Sequence, residues 1–201
     1  MTNLIFVEGA DGTGKTSCAK GIVAALQSKG KTAIRIPIIE GSAVGKDYRN
    51  DYLSGRTTPI TEALGMLYSV SKTLLDVVAP ALPLYDYVIV DRSLASFYTY
   101  QICTNDYEWM ENPFTEVECN TPRGRTVYLT VDPEVALSRM QMRGLPLDVI
   151  EKKGVSYQRS IAANYHECFN NYKRLRPTVT IPTDNLLLSD VIAEAIKGLS
   201  L

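Results

Sequence analysis

Histidine and cysteine, which build most protein metal centres and many nucleophilic sites, are scarce in this chain. Its one histidine, His166, has no partner at ligand spacing, and the four cysteines Cys18, Cys103, Cys119 and Cys168 are scattered and form no C-x-x-C pair. Zinc and disulfide frameworks are therefore not expected, and His166 reads as a structural or surface residue. An excess of one charge is also missing. Lys and Arg number 21 against 22 Asp and Glu, the net charge is -1, and no basic stripe stands out, so nucleic acid is not an expected partner. No apolar run reaches the length of a membrane span. The opening MTNLIFVEGADG has no basic n-region and only a brief apolar run, which points to a cytoplasmic protein with no membrane partner. Repeats, low-complexity tracts and linkers are absent as well.

What remains is an ordinary globular composition, with 45% apolar and 21% charged residues in a chain of 201, enough for one domain with a full core. The run Leu4 to Glu8, stopped by Gly9, predicts a strand, and apolar spacing from about Gly14 to Ser28, ending at Gly30, predicts a helix. A second strand is expected over Thr32 to Ile36, with helices over about Val44 to Leu53 and Ile60 to Leu82. YDYVIVD (Tyr85 to Asp91) and TVYLTVD (Thr126 to Asp132) read as buried parallel strands, and Thr178 to Ile181 as the last strand before a helix from about Ser189 to Leu199. Helix-compatible sequence between Pro133 and Arg176 breaks near Gly144 to Pro146, a candidate mobile lid at about residues 140–152. Asn105 to Arg125, with two prolines, reads as an irregular surface connection, and Trp109 as a packing residue. Strands alternating with helices predict an α/β fold of three layers, a five-stranded parallel sheet covered on both faces. Its ligand should lie beyond the carboxyl ends of the strands.

Gly9-Ala10-Asp11-Gly12-Thr13-Gly14-Lys15-Thr16 fits the phosphate-loop pattern G-x-x-x-x-G-K-S/T between a predicted strand and a predicted helix, as the motif requires. Glycines let backbone N–H groups wrap phosphate oxygens at a helix N-terminus. Gly9, Gly12, Thr13, Gly14 and Ser17 are accordingly expected to hold ATP, Lys15 to neutralise its β- and γ-phosphates, and Thr16 to place a hydroxyl on Mg²⁺. Asp11 is the unusual member, because a carboxylate repels triphosphate. It faces either a sugar hydroxyl or solvent.

Asp91 and Arg92 follow an apolar strand directly and should emerge at the same sheet edge. Asp91 can hold the metal through water and Arg92 can bridge phosphates bidentately; a strand-end salt bridge is the plainer alternative. The stretch DRSLASFYTYQ (Asp91 to Gln101) resembles the D-R-Y-x-x-S-x-x-A-Y-Q signature of thymidylate kinases, with Asp91, Arg92, Ser96, Tyr100 and Gln101 matching. LYSVSK (Leu67 to Lys72) is similar to that family's L-F-x-A-N/D-R, which implies Tyr68 as the residue stacked on the acceptor base and Lys72 in place of its arginine. L-D-x-I-E (Leu147 to Glu151), followed by Tyr157 and Tyr165, matches the register of the family's lid and the helix behind it, and Thr183-Asp184-Asn185 resembles its adenine loop, which adds Asp184 to the ATP site. R-I-P (Arg35 to Pro37) resembles the family's acceptor-phosphate segment, where an arginine is missing after Glu40 and Arg49 on the next helix is the candidate replacement.

The resemblance covers nearly the whole chain. It implies a P-loop kinase fold, ATP as donor with Mg²⁺, thymidine monophosphate as acceptor and a homodimer. It also implies Tyr100 against the deoxyribose. The family places a catalytic arginine in the phosphate loop or in the lid, and this loop has none, so Arg139 and Arg143, four residues apart on one helix face, are the candidates. Gln141 and Val149 stand where arginine is often found. Lys15, Asp11, Arg92, Arg143 and Arg139 are thus the expected catalytic set, Asp11, Arg35, Pro37, Arg49, Tyr68, Lys72, Arg92, Ser96, Tyr100 and Gln101 the acceptor set, and Thr16 with Asp91 the metal set. Two other readings stay open. Asp91-Arg92-Ser93 is also similar to the D-R-S of deoxynucleoside kinases, and the fold could serve a nucleotide-binding switch without turnover. The base, thymine or a modified pyrimidine, is left open.

Overall fold

The chain was analysed as a computed structural model that describes residues 2–144, 146 and 150–201. Leu147, Asp148 and Val149 of the expected lid motif lie outside the described residues.

The predicted apolar runs form five parallel strands, β1 (Leu4–Gly9), β2 (Ala33–Pro37), β3 (Tyr87–Asp91), β4 (Arg125–Thr130) and β5 (Val179–Pro182), in the order β2-β3-β1-β4-β5. The period of two along β1 divides its side chains between two cores. Leu4 and Phe6 join Val88, Val90 and Tyr128 on one face, while Ile5 and Val7 join Ile89, Val127 and Leu129 on the other. The second face is covered by α1 (Lys15–Ser28) and α9 (Leu188–Leu199). The first is covered by α3 (Pro59–Thr73), α5 (Leu94–Phe97), α6 (Glu111–Asn120) and α8 (Gly154–Asn171). Burial on both faces explains why β1, β3 and β4 read as continuous apolar runs.

Local chemistry sets the helix boundaries. Ser42 accepts from the Gly45 N–H at the start of α2 (Ala43–Leu53), and Thr58 with Thr61 forms a reciprocal capping box at α3, with Pro59 in the first turn. The predicted helix over Ile60 to Leu82 is observed as α3, a π-helical turn (Leu74–Val78) and the short α4 (Ala79–Ala81). Asp132 caps α7 (Pro133–Met142), the arm that carries Arg139. No helix among the described residues is long and apolar enough to cross a membrane.

The connection from Asn105 to Arg125 is not irregular. It contains a 3-10 turn (Glu108–Met110) and α6, whose Pro113 falls in the first turn, where its missing N–H costs no intrahelical bond. Phe114, fully buried, packs its ring 5.9 Å from Phe97, 5.4 Å from Tyr98 and 4.8 Å from Tyr172. Two prolines concealed a helix that one aromatic anchors to the core. Phe114→Ala should therefore destabilise the fold by about 3–5 kcal/mol, whereas Trp109→Ala, at a half-exposed ring, should cost under about 1 kcal/mol. Denaturant melts of both variants check this, and equal losses would contradict it.

Candidate functional site

The strand order reverses at β1, so the loops after β1 and β3 open side by side, the place where open α/β sheets hold ligands. The register puts Asp91 beside Val7 of β1 and Pro37 of β2, three strand ends at one edge. A cleft of about 550 Å³ opens there.

The phosphate loop forms its floor, with Gly14 as a left-handed N-cap leading into α1. Gly12, at φ +80°, leaves no room for a side chain, since a Cβ would stand 2.7 Å from the Ala136 carbonyl oxygen of α7. An arginine at that position of the loop is thereby excluded. Asp11, Gly12, Gly14, Lys15, Thr16 and Ser17 line the cleft; Gly9 and Thr13 are not at its surface. Thr13 is buried and donates its hydroxyl to the Ala10 carbonyl at 2.8 Å, which braces the loop from behind.

Above the loop, Arg92 pairs with Asp11, and Asp11 also accepts the Tyr100 hydroxyl at 3.1 Å. Asp11 is thus held by a cation and a hydroxyl at the cleft wall. Burial alone would raise the Asp11 carboxyl, but the charges of Arg92 and Lys15 and the hydrogen bonds from Arg92 and Tyr100 outweigh it and bring it down to about 2. Burial would likewise lower the Arg92 guanidinium, and the Asp11 charge instead holds it well above its ordinary value. The same guanidinium lies over the Tyr100 ring, 5.4 Å from its centroid. Lys15 is brought down to about 8, by burial first and the Arg92 charge second, with Asp11, Asp91 and Glu8 pulling the other way.

Asp91 accepts the Thr16 hydroxyl at 2.8 Å and an Arg35 Nε–H at 3.2 Å on the same carboxylate oxygen. Thr16 and Asp91 are hard oxygen donors in contact, and among the described residues no cluster of three or more His, Cys, Asp or Glu is present. This suits Mg²⁺, which takes one or two protein oxygens and completes its shell with phosphate and water.

Away from the phosphate loop the cleft is lined by Arg35, Pro37 and Arg49, with Tyr48 and Tyr52 of α2, Met66 of α3, and Tyr100, Gln101, Thr104 and Asn105 beyond α5. Arg49 pairs with Glu40 at 2.7 Å. Tyr100 and Gln101 are sequence neighbours that both reach the cleft from a π-helical turn (Tyr98–Cys103), a local widening common at functional sites. Tyr68 and Lys72 do not line the cleft. Tyr68 is exposed, Lys72 pairs with Asp76, and Met66 occupies the position facing the cleft. Tyr68, two residues after Met66, is turned from it by about 200° around the helix, so when Met66 faces the cleft Tyr68 faces away from it. Ser96 is fully buried and bonds to Glu8 and Tyr165, so it too stands behind the site.

Arg139 and Arg143 both line the cleft but are held differently. Arg139 donates to the Thr183 hydroxyl at 2.9 Å and to the Thr183 carbonyl at 2.6 Å, which ties α7 to the segment after β5. Arg143 pairs with Glu151 across the described ends of the lid segment. Asp184 accepts the Asp132 N–H at 2.7 Å and is not at the cleft surface. Met66, Tyr48, Tyr52, Thr104, Asn105 and Glu8 went unmarked in the sequence. Only Glu8 carried a signal there, as a carboxylate inside an apolar strand.

A family model described as thymidylate kinase matches residues 7–185. The chain is 30% identical over 174 residues to a thymidylate kinase of Pelodictyon phaeoclathratiforme, covering 81% of this chain and 80% of the relative. It is 29% identical over 176 residues to one of Chlorobaculum tepidum, with 82% of each covered. To one of Baumannia cicadellinicola it is 28% identical over 181 residues, with 87% and 85% covered.

The lowered Lys15 has a consequence in solution. The ammonium is charged below about pH 8 and loses its proton above it, and only the charged form attracts phosphate. Affinity for ATP should fall by about twofold from pH 7 to 8 and then approach a fall of about tenfold per further pH unit. Calorimetric titrations across that range check this; affinity unchanged at pH 9.5 would contradict it.

Proposed function

The chain belongs to the thymidylate kinase family, and from that membership we propose how its cleft carries out the reaction. The enzyme is a phosphotransferase that moves the γ-phosphoryl of ATP to thymidine monophosphate with Mg²⁺. A phosphate oxygen of the acceptor attacks the γ-phosphorus in line, the bond to the β–γ bridging oxygen breaks, and ADP leaves. Such a transition state needs positioning and charge neutralisation and no covalent nucleophile.

The observation that carries the assignment of residues is the meeting of Lys15, Thr16, Asp11, Asp91 and Arg92 at one sheet edge. In this reading the Lys15 ammonium and the amides of Gly12, Gly14, Lys15, Thr16 and Ser17 hold the donor phosphates, with Gly9 and Thr13 shaping the loop behind them. Thr16 and Asp91 hold Mg²⁺, which when bound neutralises β- and γ-phosphate oxygens. Arg92 and Arg35 take the acceptor phosphate with Arg49 behind them, and Asp11 orients Arg92 and Tyr100 toward the sugar. Arg143, at the end of α7, is the cation that approaches the phosphoryl when the segment at about 140–152 closes as a lid, and Arg139 holds the adenine loop. Gly12 supports this division, because the loop itself has no space for an arginine.

Met66 and Gln101, instead of Tyr68 and Lys72, face the acceptor base. Steady-state ADP release should occur with thymidine monophosphate and not with thymidine, which excludes the deoxynucleoside kinase reading. In the same assay Met66→Ala should raise the acceptor KM by about tenfold while Lys72→Ala leaves it unchanged. Turnover of thymidine, or a KM effect at Lys72 alone, would contradict the assignment.

The exposed row Ile60, Leu64 and Tyr68 follows a spacing of four along α3 and forms one apolar face. We assign it to a second copy of the chain. Sedimentation should give twice the chain mass at micromolar concentration, and Leu64→Glu should give the single mass. A native protein of single mass would overturn the dimer. The reading includes a cytoplasmic location, where both nucleotides are found; recovery of the protein with cell membranes would count against it.

A further inference from the structure

Glu8 is charged, fully buried and takes no part in the cleft. It is the penultimate residue of β1, immediately before the phosphate loop. One carboxylate oxygen accepts the Ser93 N–H, the Ser93 hydroxyl at 2.7 Å and the Ser96 N–H at 3.1 Å. The other accepts the Ser96 hydroxyl at 2.8 Å, the Tyr165 hydroxyl at 2.9 Å and the Gly9 N–H at 3.2 Å. A buried carboxylate with this many donors is satisfied, and apart from the adjacent Gly9 its donors come from the segment after β3 and from α8.

Between those donors and β3 stands Arg92, whose φ of +76° is a left-handed conformation that a non-glycine residue adopts only when its surroundings impose it. The constraint is visible on both sides. The Arg92 N–H donates to the Val7 carbonyl at 2.9 Å, and the next N–H, that of Ser93, donates to Glu8. The guanidinium is reached by the same group, since Arg92 Nη1 donates to the Ser96 hydroxyl oxygen at 3.3 Å, and that hydroxyl donates to Glu8.

We propose that Glu8 is a positioning residue for phosphoryl transfer: through Ser93 and Ser96 it fixes both the strained backbone of Arg92 and the direction of its guanidinium over the cleft. The inference rests on the assignment of Arg92 to the acceptor phosphate. A residue that acts only through another has a thermodynamic signature, because its removal costs nothing once its target is gone. A residue that merely holds the fold together loses activity independently of the target.

The test is a cycle of Glu8→Gln, Arg92→Ala and the double variant, read as kcat/KM for thymidine monophosphate and KM for ATP. The substituted amide keeps the shape and one acceptor oxygen for the Ser93 and Ser96 N–H groups, and the Ser96 and Tyr165 hydroxyls can rotate to accept from it, so that only the 3.2 Å contact from the Gly9 N–H loses its acceptor. Glu8→Gln should lower kcat/KM for the acceptor by about tenfold or more, with KM for ATP changed by less than about threefold, and the double variant should match Arg92→Ala within about twofold. Ser96→Ala, which leaves the carboxylate in place, should show a smaller loss with the same non-additivity. Losses that multiply in the double variant, or wild-type kcat/KM in Glu8→Gln, overturn the role of Glu8. Wild-type turnover by Arg92→Ala overturns the assignment of Arg92, and with it the premise of the proposal.

Discussion

The ion pair between Asp11 and Arg92 joins the two halves of the cleft, one partner from the phosphate loop and the other from the end of β3. Both charges are largely out of water, so each depends on the other. Loss of either partner would leave an uncompensated buried charge, a far larger penalty than the pair's net contribution to stability. The pair also explains why an acidic residue is tolerated in a loop built to hold anions. Its negative charge is directed at Arg92, and the Tyr100 hydroxyl takes the remaining acceptor oxygen. With Arg92 assigned to the acceptor phosphate, as proposed, the acceptor is tied to the same loop that is assigned to the donor.

That arrangement depends on the sheet. Parallel pairing of β1 with β3 sets Val7 beside Asp91, so the residue after each strand emerges at the same edge. The Val7 carbonyl then captures the Arg92 N–H and the Glu8 side chain captures the Ser93 N–H, which turns the chain sharply enough for Arg92 to point back over the loop. Helices α1 and α9 on one face, and α3, α5, α6 and α8 on the other, bury the strands that keep this register. The positive cluster is balanced by carboxylates already in place, Asp91 holding Arg35 and Glu151 holding Arg143. Nucleotide phosphates can replace those partners without first creating a cation site from nothing, which is the kind of preorganisation that electrostatic catalysis uses.

Much of this was legible in the chain. Continuous apolar runs ending at Gly9 and Asp91 give buried parallel strands, and a glycine-rich loop before Lys15 has few other physical uses. What was not legible depended on phase or on tertiary context. On α3 the apolar residues Met66, Leu67 and Val70 and the exposed row Ile60, Leu64 and Tyr68 make two apolar faces, and the motif alone does not say which one meets the cleft. Pro113 and Pro122 suggested a loop where proline in a first helical turn is harmless. Thr104 and Asn105 reach the site only because a π-helical turn advances the chain ahead of them, and no local pattern announces such a turn. Gly12 carries much information for its size, since the contact of α7 leaves no room there for any side chain.

The proposed function puts donor and acceptor phosphates in one cleft, on either side of the Asp11–Arg92 pair, and that sharing can be measured with a single ligand. Adenosine and thymidine joined through a polyphosphate bridge make a molecule that would span both positions, and its binding can be followed by calorimetry with either natural ligand as competitor. One bridged molecule should bind per chain, displaced by ATP and by thymidine monophosphate alike. Displacement by only one of the two nucleotides would contradict a shared cleft.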